Sequence, residues 1–412
     1  MNFNFLHCAD LHLGSPLLGL SEKDADVAAR FAAASRDAFS ALVSEAVEAK
    51  VAFVLIAGDV YDGEWRDNSI GLFFNREISR LARAAIPVFL VKGNHDAASV
   101  VTGAVALPDG VTLFSSRKAE TRLLETSRVA IHGRSFPDRA VDENWAVEYP
   151  APKDGWFNIG LLHTSCDGRP GHASYAPCTV SDLAARGYDY WALGHVHEHE
   201  ILSRDPWIVY PGNLQGRSVR ECGPKGAVLV DVEDGRVAGV RRLIVDRARF
   251  ADVSVDVSAA EREDAVWRAI RDELAPVAGA AGNRLIAARV RLSGETILHR
   301  DILARRAQYV TDARGSLQHL HPDLWLEKLV IETREPRVSV APGAGLASLD
   351  LAAMLGACEA DDDIRAGVEE ILATLRAKLP DAAREELLTA NIGDFVAEAR
   401  ALVLSRAGGG RA

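Results

Sequence analysis

Three short apolar runs, Phe3 to Cys8, Val51 to Ala57 and Val88 to Val91, are separated by two helical stretches, and each run stops at a polar cluster. No other feature constrains the chain as tightly. Strand, helix, strand, helix, strand calls for right-handed crossovers in an α/β sheet. Polar residues just past the carboxyl ends of such strands stand where these folds place ligands. The first helix shows an apolar face of Val27, Phe31, Ala34, Ala38, Leu42 and Val43, and the second covers about 69–84. Val51 to Ala57 is apolar without interruption, as a strand buried on both faces should be.

Beyond residue 110 the strands shorten and Gly and Pro become denser. Arg128 to His132, Phe157 to His163, Tyr190 to Leu193, Trp207 to Tyr210 and Ala227 to Val232 read as strands, and Glu233-Asp-Gly235 reads as a hairpin turn into Arg236 to Val245. The first domain is expected to end at 248. A small α/β domain over 249–336 follows, with strands at Asp252 to Val257, Leu285 to Leu292 and Leu326 to Glu332 and helices at Ala259 to Leu274 and near Thr296 to Arg306. Pro336 to Gly345 reads as a linker. Over 346–405, Ile364, Val368, Ile371, Leu375 and Leu379, then Leu388, Ile392, Phe395, Ala399 and Leu402, recur at helical spacing and predict two amphipathic helices.

Composition narrows the function. Of 412 residues 48% are hydrophobic and 25% charged, which excludes a largely disordered chain. With 47 Lys and Arg against 58 Asp and Glu, the net charge of −11 makes a poor stand-alone nucleic-acid binder. The five cysteines are widely spaced without a CxxC pair, which points to a reducing compartment. No apolar run approaches membrane-spanning length, and no basic leader precedes Asp10 and His12, so a cytoplasmic protein without a membrane anchor is expected. The absence of a P-loop, a G-x-S-x-G elbow and an H-E-x-x-H pair excludes an internal ATPase, an α/β-hydrolase and a zincin.

The polar clusters carry the chemistry. Asp10-Leu-His12 follows the first strand, where alternation would let both side chains share a face; alone, D-x-H is a weak signal. Gly58-Asp59 follows the second and by itself reads equally as a turn or helix cap. Gly93-Asn94-His95-Asp96 follows the third, His163 ends a later strand, and His195-Val-His197 ends another. Imidazole with carboxylate or amide oxygen, and no thiolate, suits Mn²⁺, Fe²⁺ or Zn²⁺. There are too many candidates for one ion, and a shared carboxylate would serve two, a pairing that polarises a phosphoryl group and generates hydroxide at neutral pH.

In this order, D-x-H, GD, GNHD, H and GHxH resemble the five motifs of calcineurin-like metallophosphoesterases. Ala9-Asp-Leu-His-Leu-Gly14, Ala57-Gly-Asp-Val-Tyr-Asp62 and Gly93-Asn-His-Asp96 are similar to the SbcD-type DNA-repair exonucleases. Tyr210-Pro-Gly-Asn-Leu-Gln-Gly-Arg217, with Arg220-Glu221 and Lys225-Gly226, resembles the YhaO-type branch more closely still. The resemblance implies a four-layer α-β-β-α sandwich with a small α/β capping domain and a C-terminal helical segment. It implies one metal held by Asp10, His12, Asp59 and His197, and a second held by Asp59, Asn94, His163 and His195, with Asp59 bridging. His95 matches the non-ligand histidine that meets the scissile phosphate, and Asp96 would orient it. Asp62 stands where some relatives carry a second catalytic histidine; orienting substrate, no role and a helix cap are open there, with the last two favoured.

The leading expectation is a Mn²⁺-dependent DNA phosphodiesterase, a 3′→5′ exonuclease with endonuclease activity open as an addition. A small-substrate phosphodiesterase or phosphatase, or a non-catalytic scaffold subunit, are the alternatives. The resemblance implies an SMC-like ATPase of the SbcC or YhaN type docked on the C-terminal helices, and leaves a homodimer open. Arg284 to Arg306 holds six arginines against Glu295 and Asp301, which reads either as a DNA-touching face or as a solvated surface. Arg134, Arg139, Arg217 and Arg220 could meet phosphate by the same weak argument. His7, His132, His172 and His199 lie outside the motif set and read as core or loop residues.

Overall fold

The computed structural model describes residues 1–15, 25–62, 68–98, 106–168, 175–336 and 362–378, with 399 and 403. The chain forms two compact units, Met1–Ala251 with Asn283–Ile286, and Asp252–Gly282 with Ala287–Ala412.

In the first unit, β1 (Phe3–Cys8), α1 (Ala25–Glu48), β2 (Val54–Ala57), α2 (Asn68–Arg83), β3 (Val88–Val91), the short α3 (Asn94–Ala98) and β4 (Val111–Leu113) follow in order. Next come β5 (Glu120–Leu124), β6 (Val129–Gly133), a 3₁₀ turn (Trp145–Glu148), β7 (Phe157–His163), α4 (Val180–Ala185), β8 (Tyr190–Gly194), β9 (Glu200–Arg204) and β10 (Trp207–Tyr210). β11 (Gly226–Glu233) and β12 (Arg236–Ile244) close the unit as the hairpin expected at Glu233-Asp-Gly235. Two six-stranded mixed sheets result, ordered β12-β11-β1-β2-β3-β4 and β5-β6-β7-β8-β10-β9. β1 to β4 pair in parallel, as do β6, β7, β8 and β10, so their carboxyl ends share an edge within each sheet.

The apolar pattern fixes the layering. Phe5, Phe53, Leu55, Val91, Ile159, Tyr190 and Val230 fill the space between the sheets, with Phe5 stacked on Phe53 at 4.9 Å and edge-on to Tyr190 at 5.2 Å. On the outer face of the first sheet, Phe39, Leu42, Phe74 and Ile78 of α1 and α2 meet Leu6, Ile56 and Leu90. On the outer face of the second, Trp145, Leu183, Trp191 and Tyr210 make a further core. The result is a four-layer α-β-β-α sandwich, as the resemblance implies.

The second unit contains a three-stranded sheet, β13-β14-β15, from Ala248–Asp256, Leu285–Glu295 and Leu324–Arg334. Its helices are α5 (Glu263–Ala281), α6 (His299–Ala304), α7 (Arg306–Leu320) and α8 (Asp362–Lys378). Two details differ from the sequence reading. α5 runs on through Pro276 to Ala281. The helix expected over 296–306 is a short α6, broken at Arg305 and followed by a longer α7. The linker beyond Pro336 and nearly all of the second C-terminal helix lie outside the described residues, as does His172.

The arginine-rich stretch is largely neutralised where it stands. In the first unit Arg284 pairs with Asp246 at 2.5 Å. In the second, Arg289 pairs with Glu327 at 2.8 Å and Arg291 with Asp252 and Glu332 at 2.8 and 2.9 Å. Arg300 binds Glu335, and Arg305 binds Glu263 and Asp301. Five of the run's six arginines thus form intramolecular ion pairs, with Arg300 and Arg305 at the exposed surface. No helix among the described residues is long and apolar enough to cross a membrane, and Cys8, Cys166, Cys178 and Cys222 form no disulfide.

Candidate metal centre

The strands end level with one another: Cys8 pairs with Ile56, Ala57 with Val91, and His163 with Gly194. The loops after them therefore deliver Asp10, His12, Asp59, Asn94, His95, His163, His195 and His197 to one end of the sandwich. Between the two sheets the ends nearly touch, because a Cβ added at Gly194 would lie 1.9 Å from the Ala57 carbonyl oxygen. At Gly93 it would lie 2.2 Å from Asp59 Oδ1. Only glycine fits at either point.

Local backbone, not strand alternation, aims the ligand candidates. β1 stops at Cys8 and β8 at Gly194, so Asp10, His12, His195 and His197 lie beyond the pleat. Asp10, His12, Asp59 and His195 all adopt positive φ, at 51°, 42°, 53° and 99°. Non-glycine residues seldom adopt such values, and they persist where surrounding contacts over-determine them. Here Asp10 N donates to Gly58 O at 3.0 Å, His12 N donates to Asp59 O at 3.0 Å, and the Asp10 carboxylate accepts from His195 N at 3.0 and 3.1 Å.

Around Asp59 the donor atoms converge. Its Oδ2 lies 3.5 Å from His163 Nε2 and 3.9 Å from His12 Nε2, between the two imidazoles, while Oδ1 accepts from His95 N at 2.9 Å. Asn94 Oδ1 is 3.0 Å from His163 Nε2, and His12 Nε2 faces His197 Nε2 at 3.1 Å. Asp10 Oδ1 is 4.0 Å from His197 Nε2, and the His195 ring lies 5.2 Å from that of His163. Asp10, His12 and His197 form one group of mutually close ligand atoms, and Asp10, Asp59 and His163 another.

These contacts fit cations. His163 Nδ1 donates to the Ala57 carbonyl at 2.9 Å, and a carbonyl can only accept. The Nε2 of the neutral ring is then a lone pair, yet it faces Asp59 and Asn94 oxygens. Burial holds this imidazole down at about 3, so the ring does not itself carry the compensating charge. His197 Nδ1 is occupied by Glu221 Oε1 at 2.8 Å, which leaves its Nε2 lone pair facing His12 Nε2 at 3.1 Å. Burial and mutual repulsion raise Asp10 well above the usual carboxylate range, and burial raises Asp59 too. Buried carboxylates beside imidazole lone pairs make a set that divalent ions satisfy.

His95 stands apart. Its side chain is 33% exposed, and its Nδ1 meets Asp62 Oδ1 at 2.9 Å. Burial pulls the imidazole down, but the hydrogen bond to Asp62 and the charges of Asp59 and Asp62 outweigh it and raise it above the ordinary histidine value. Burial likewise pushes Asp62 up, yet contacts with His12 and His95 hold it well below the usual carboxylate range. Two expectations are corrected here. Asp62, read as a cap or as idle, is the partner of His95. Asp96, read as that partner, accepts instead from the Val60, Tyr61 and Gly93 amides at 2.9, 3.0 and 3.1 Å, tying the third loop to the second. Burial and the Asp59 charge push Asp96 up to about 7 despite those amides.

Arg217, one of the arginines that could meet phosphate, turns its guanidinium to Glu221 and Asp62 inside the site. Arg134 pairs with Glu148 and lies over Trp145. His7 bridges Tyr190 and Leu193, and His132 bonds Thr121 and Asn158, so both are core residues as expected.

The sequence profile of the family described as calcineurin-like phosphoesterase matches residues 3–199, and that of the middle domain of metallophosphoesterase YhaO matches 250–334. The uncharacterized metallophosphoesterase YhaO of Bacillus subtilis (strain 168) is 36% identical over 275 residues, covering 66% of this chain and 67% of that protein. This chain belongs to the YhaO family of calcineurin-like metallophosphoesterases. Two DNA double-strand break repair proteins Mre11 are more distant. That of Sulfurisphaera tokodaii is 24% identical over 257 residues, 58% of this chain and 62% of its own length. That of Methanopyrus kandleri is 24% identical over 293 residues, 64% and 62%. The chain thus spans less than two thirds of either Mre11. As a member of this YhaO family it is a metal-dependent phosphoesterase, a hydrolase of phosphate esters.

Proposed function

We propose that the chain is a two-metal phosphodiesterase that cuts DNA, a 3′→5′ exonuclease acting in repair. The placement of Asp59 carries the two-metal reading: its Oδ2 lies 3.5 Å from His163 Nε2 and 3.9 Å from His12 Nε2, so one shared carboxylate can serve an ion beside each imidazole. Asp10, His12, Asp59 and His197 would hold one ion, and Asp59, Asn94, His163 and His195 the other, with Asp59 shared. When bound, the two ions supply charge stabilisation of the phosphoryl group and activation of the attacking water. Mn²⁺ is the ion that a histidine-rich, thiolate-free set favours over Mg²⁺.

The chain's own residues do the rest. His95, protonated and held by Asp62, donates a hydrogen bond or a proton to the leaving oxygen. Asp96 fixes the turn that carries His95 by binding three amides. Glu221 sets the His197 ring. DNA as substrate is supported by the repair proteins among the relatives. The paired arginines and the net charge of −11 favour a second reading, a small phosphodiester substrate. An SMC-like ATPase of the SbcC or YhaN type, docked on the segment 346–405, would supply the DNA grip that this acidic chain lacks; Ile371 of α8 is 62% exposed there.

One assay separates these readings: purified chain with Mn²⁺ on linear duplex DNA, a nitrophenyl phosphodiester and a phosphomonoester, with and without the ATPase. Mononucleotide release from duplex ends supports the proposal. Hydrolysis of the small diester with intact DNA under every condition supports the second reading.

A further inference from the structure

Residues 212–225, between β10 and β11, wrap the back of the site. Asn213 N and the buried Lys225 Nζ both donate to the His197 carbonyl, at 3.2 and 3.0 Å, and Lys225 also pairs with Glu198 at 2.5 Å. Glu221 Oε1 takes His197 Nδ1 at 2.8 Å. Arg217 then encloses Glu221: its backbone N donates to Oε2 at 2.8 Å, Nη2 to Oε1 at 2.9 Å, and Nε to both oxygens at 3.3 and 3.4 Å. Its remaining arm, Nη1, crosses to Asp62 Oδ2 at 3.3 Å, and Asp62 Oδ1 takes His95 Nδ1 at 2.9 Å. One guanidinium therefore closes a chain from His95 through Asp62, Arg217 and Glu221 to His197.

We infer that Arg217 is a positioning residue that sets a metal-holding imidazole and the leaving-group imidazole together, by clamping Glu221 with one edge and Asp62 with the other. The inference rests on the proposed roles of His197 and His95. Two carboxylates, 16% and 12% exposed at their side chains, each turn one oxygen to a histidine and leave charge to be compensated on the other. A planar fork with donors on three nitrogens compensates both at once, whereas a lysine ammonium is a point charge that reaches one. Each of the three guanidinium nitrogens has a carboxylate acceptor, and Nη2 also lies 3.2 Å from His197 Nδ1, which ties the group to the two carboxylates and to an imidazole they orient. Burial works against the charge on Arg217, but Glu221 and Asp62 keep it firmly protonated.

The test uses full-length chain, stripped of metal and titrated with Mn²⁺ in a calorimeter, alongside steady-state hydrolysis of a nitrophenyl phosphodiester. Arg217→Met should weaken one of two Mn²⁺ binding events by ~10–100-fold, the usual effect of removing support from a metal-bound histidine. At saturating Mn²⁺ its kcat should fall by at least about tenfold while KM stays within about twofold, as expected when a transition-state contact is displaced and substrate binding is not. Glu221→Gln should reproduce the metal defect, and Asp62→Asn the kcat defect alone. Millimolar guanidinium should restore part of kcat to Arg217→Ala. Unchanged Mn²⁺ affinity with a raised KM and retained kcat would overturn the inference in favour of direct phosphate binding. Arg217→Lys makes the same comparison if Arg217→Met does not fold, and full Mn²⁺ affinity and kcat in that variant would also overturn it. His197→Ala keeps the two readings distinguishable. If it binds both ions normally, the ligand assignment fails; if it loses an ion while Arg217→Met does not weaken one, the clamp alone fails.

Discussion

At His163 a single hydrogen bond decides what the ring can do: Nδ1 on the Ala57 carbonyl leaves Nε2 as a lone pair for a cation. At His95 the partner is a carboxylate, and the ring becomes a donor. Asp62→Asn should therefore keep both metals yet slow DNA cleavage by ~10²–10³-fold, within the worth of a positioned acid. The loss should be smaller on a nitrophenyl diester, whose leaving group needs little protonation; equal losses on both substrates would show that Asp62 does something else. The ligand types were legible in the sequence because each follows an apolar strand. Asp62, Glu221 and Arg217 were not, because 155 residues separate Arg217 from Asp62 and no periodicity joins them.

The site depends on how closely strand ends approach. Gly194 of β8 abuts the Ala57 carbonyl of β2 across the two sheets, so Gly194→Ala should destabilise the chain by about 1–3 kcal/mol or more through overpacking, and lower Mn²⁺ affinity as well. Chemical denaturation with and without Mn²⁺ reads both effects, and a wild-type midpoint would contradict this packing. Buried strands such as β2 and β7 announced themselves as apolar runs. β4, β5 and β9 did not, since they are short and partly exposed and carry no sustained apolar run. The convergence of Asp10 with His12 was expected from strand alternation but arises from positive φ beyond the strand. Nothing in a D-x-H spacing reveals that. α7 went unseen because its apolar residues form a weak stripe interrupted by Gly315.

At the scale of the whole chain, acid should act through buried neutral histidines as well as through the site. His132, stacked on Tyr188 at 4.4 Å, is held by burial down at about 4 against an unfolded value of 6.5. The unfolded chain then binds more protons between those values, so this contribution is complete above pH 6.5 and is lost as pH falls toward 4. It is worth on the order of 3 kcal/mol. His132→Gln should flatten that part of the pH–stability curve; an unaltered slope would mean that other groups dominate. The ion-paired arginines of the second unit make a related prediction, that Arg291→Gln leaves DNA cleavage and its salt dependence unchanged. The claim beneath all of this is a dinuclear centre bridged by Asp59 with His95 beside the metals. Elemental analysis of Mn²⁺ bound per chain in wild type, Asp59→Ala and His95→Asn, with DNA turnover measured on the same samples, tests it most directly. The expected result is two ions in wild type, loss of metal and activity in Asp59→Ala, and nearly two ions with turnover down ~10²–10⁴-fold in His95→Asn. Loss of an ion from His95→Asn, or two ions retained in Asp59→Ala, would contradict it.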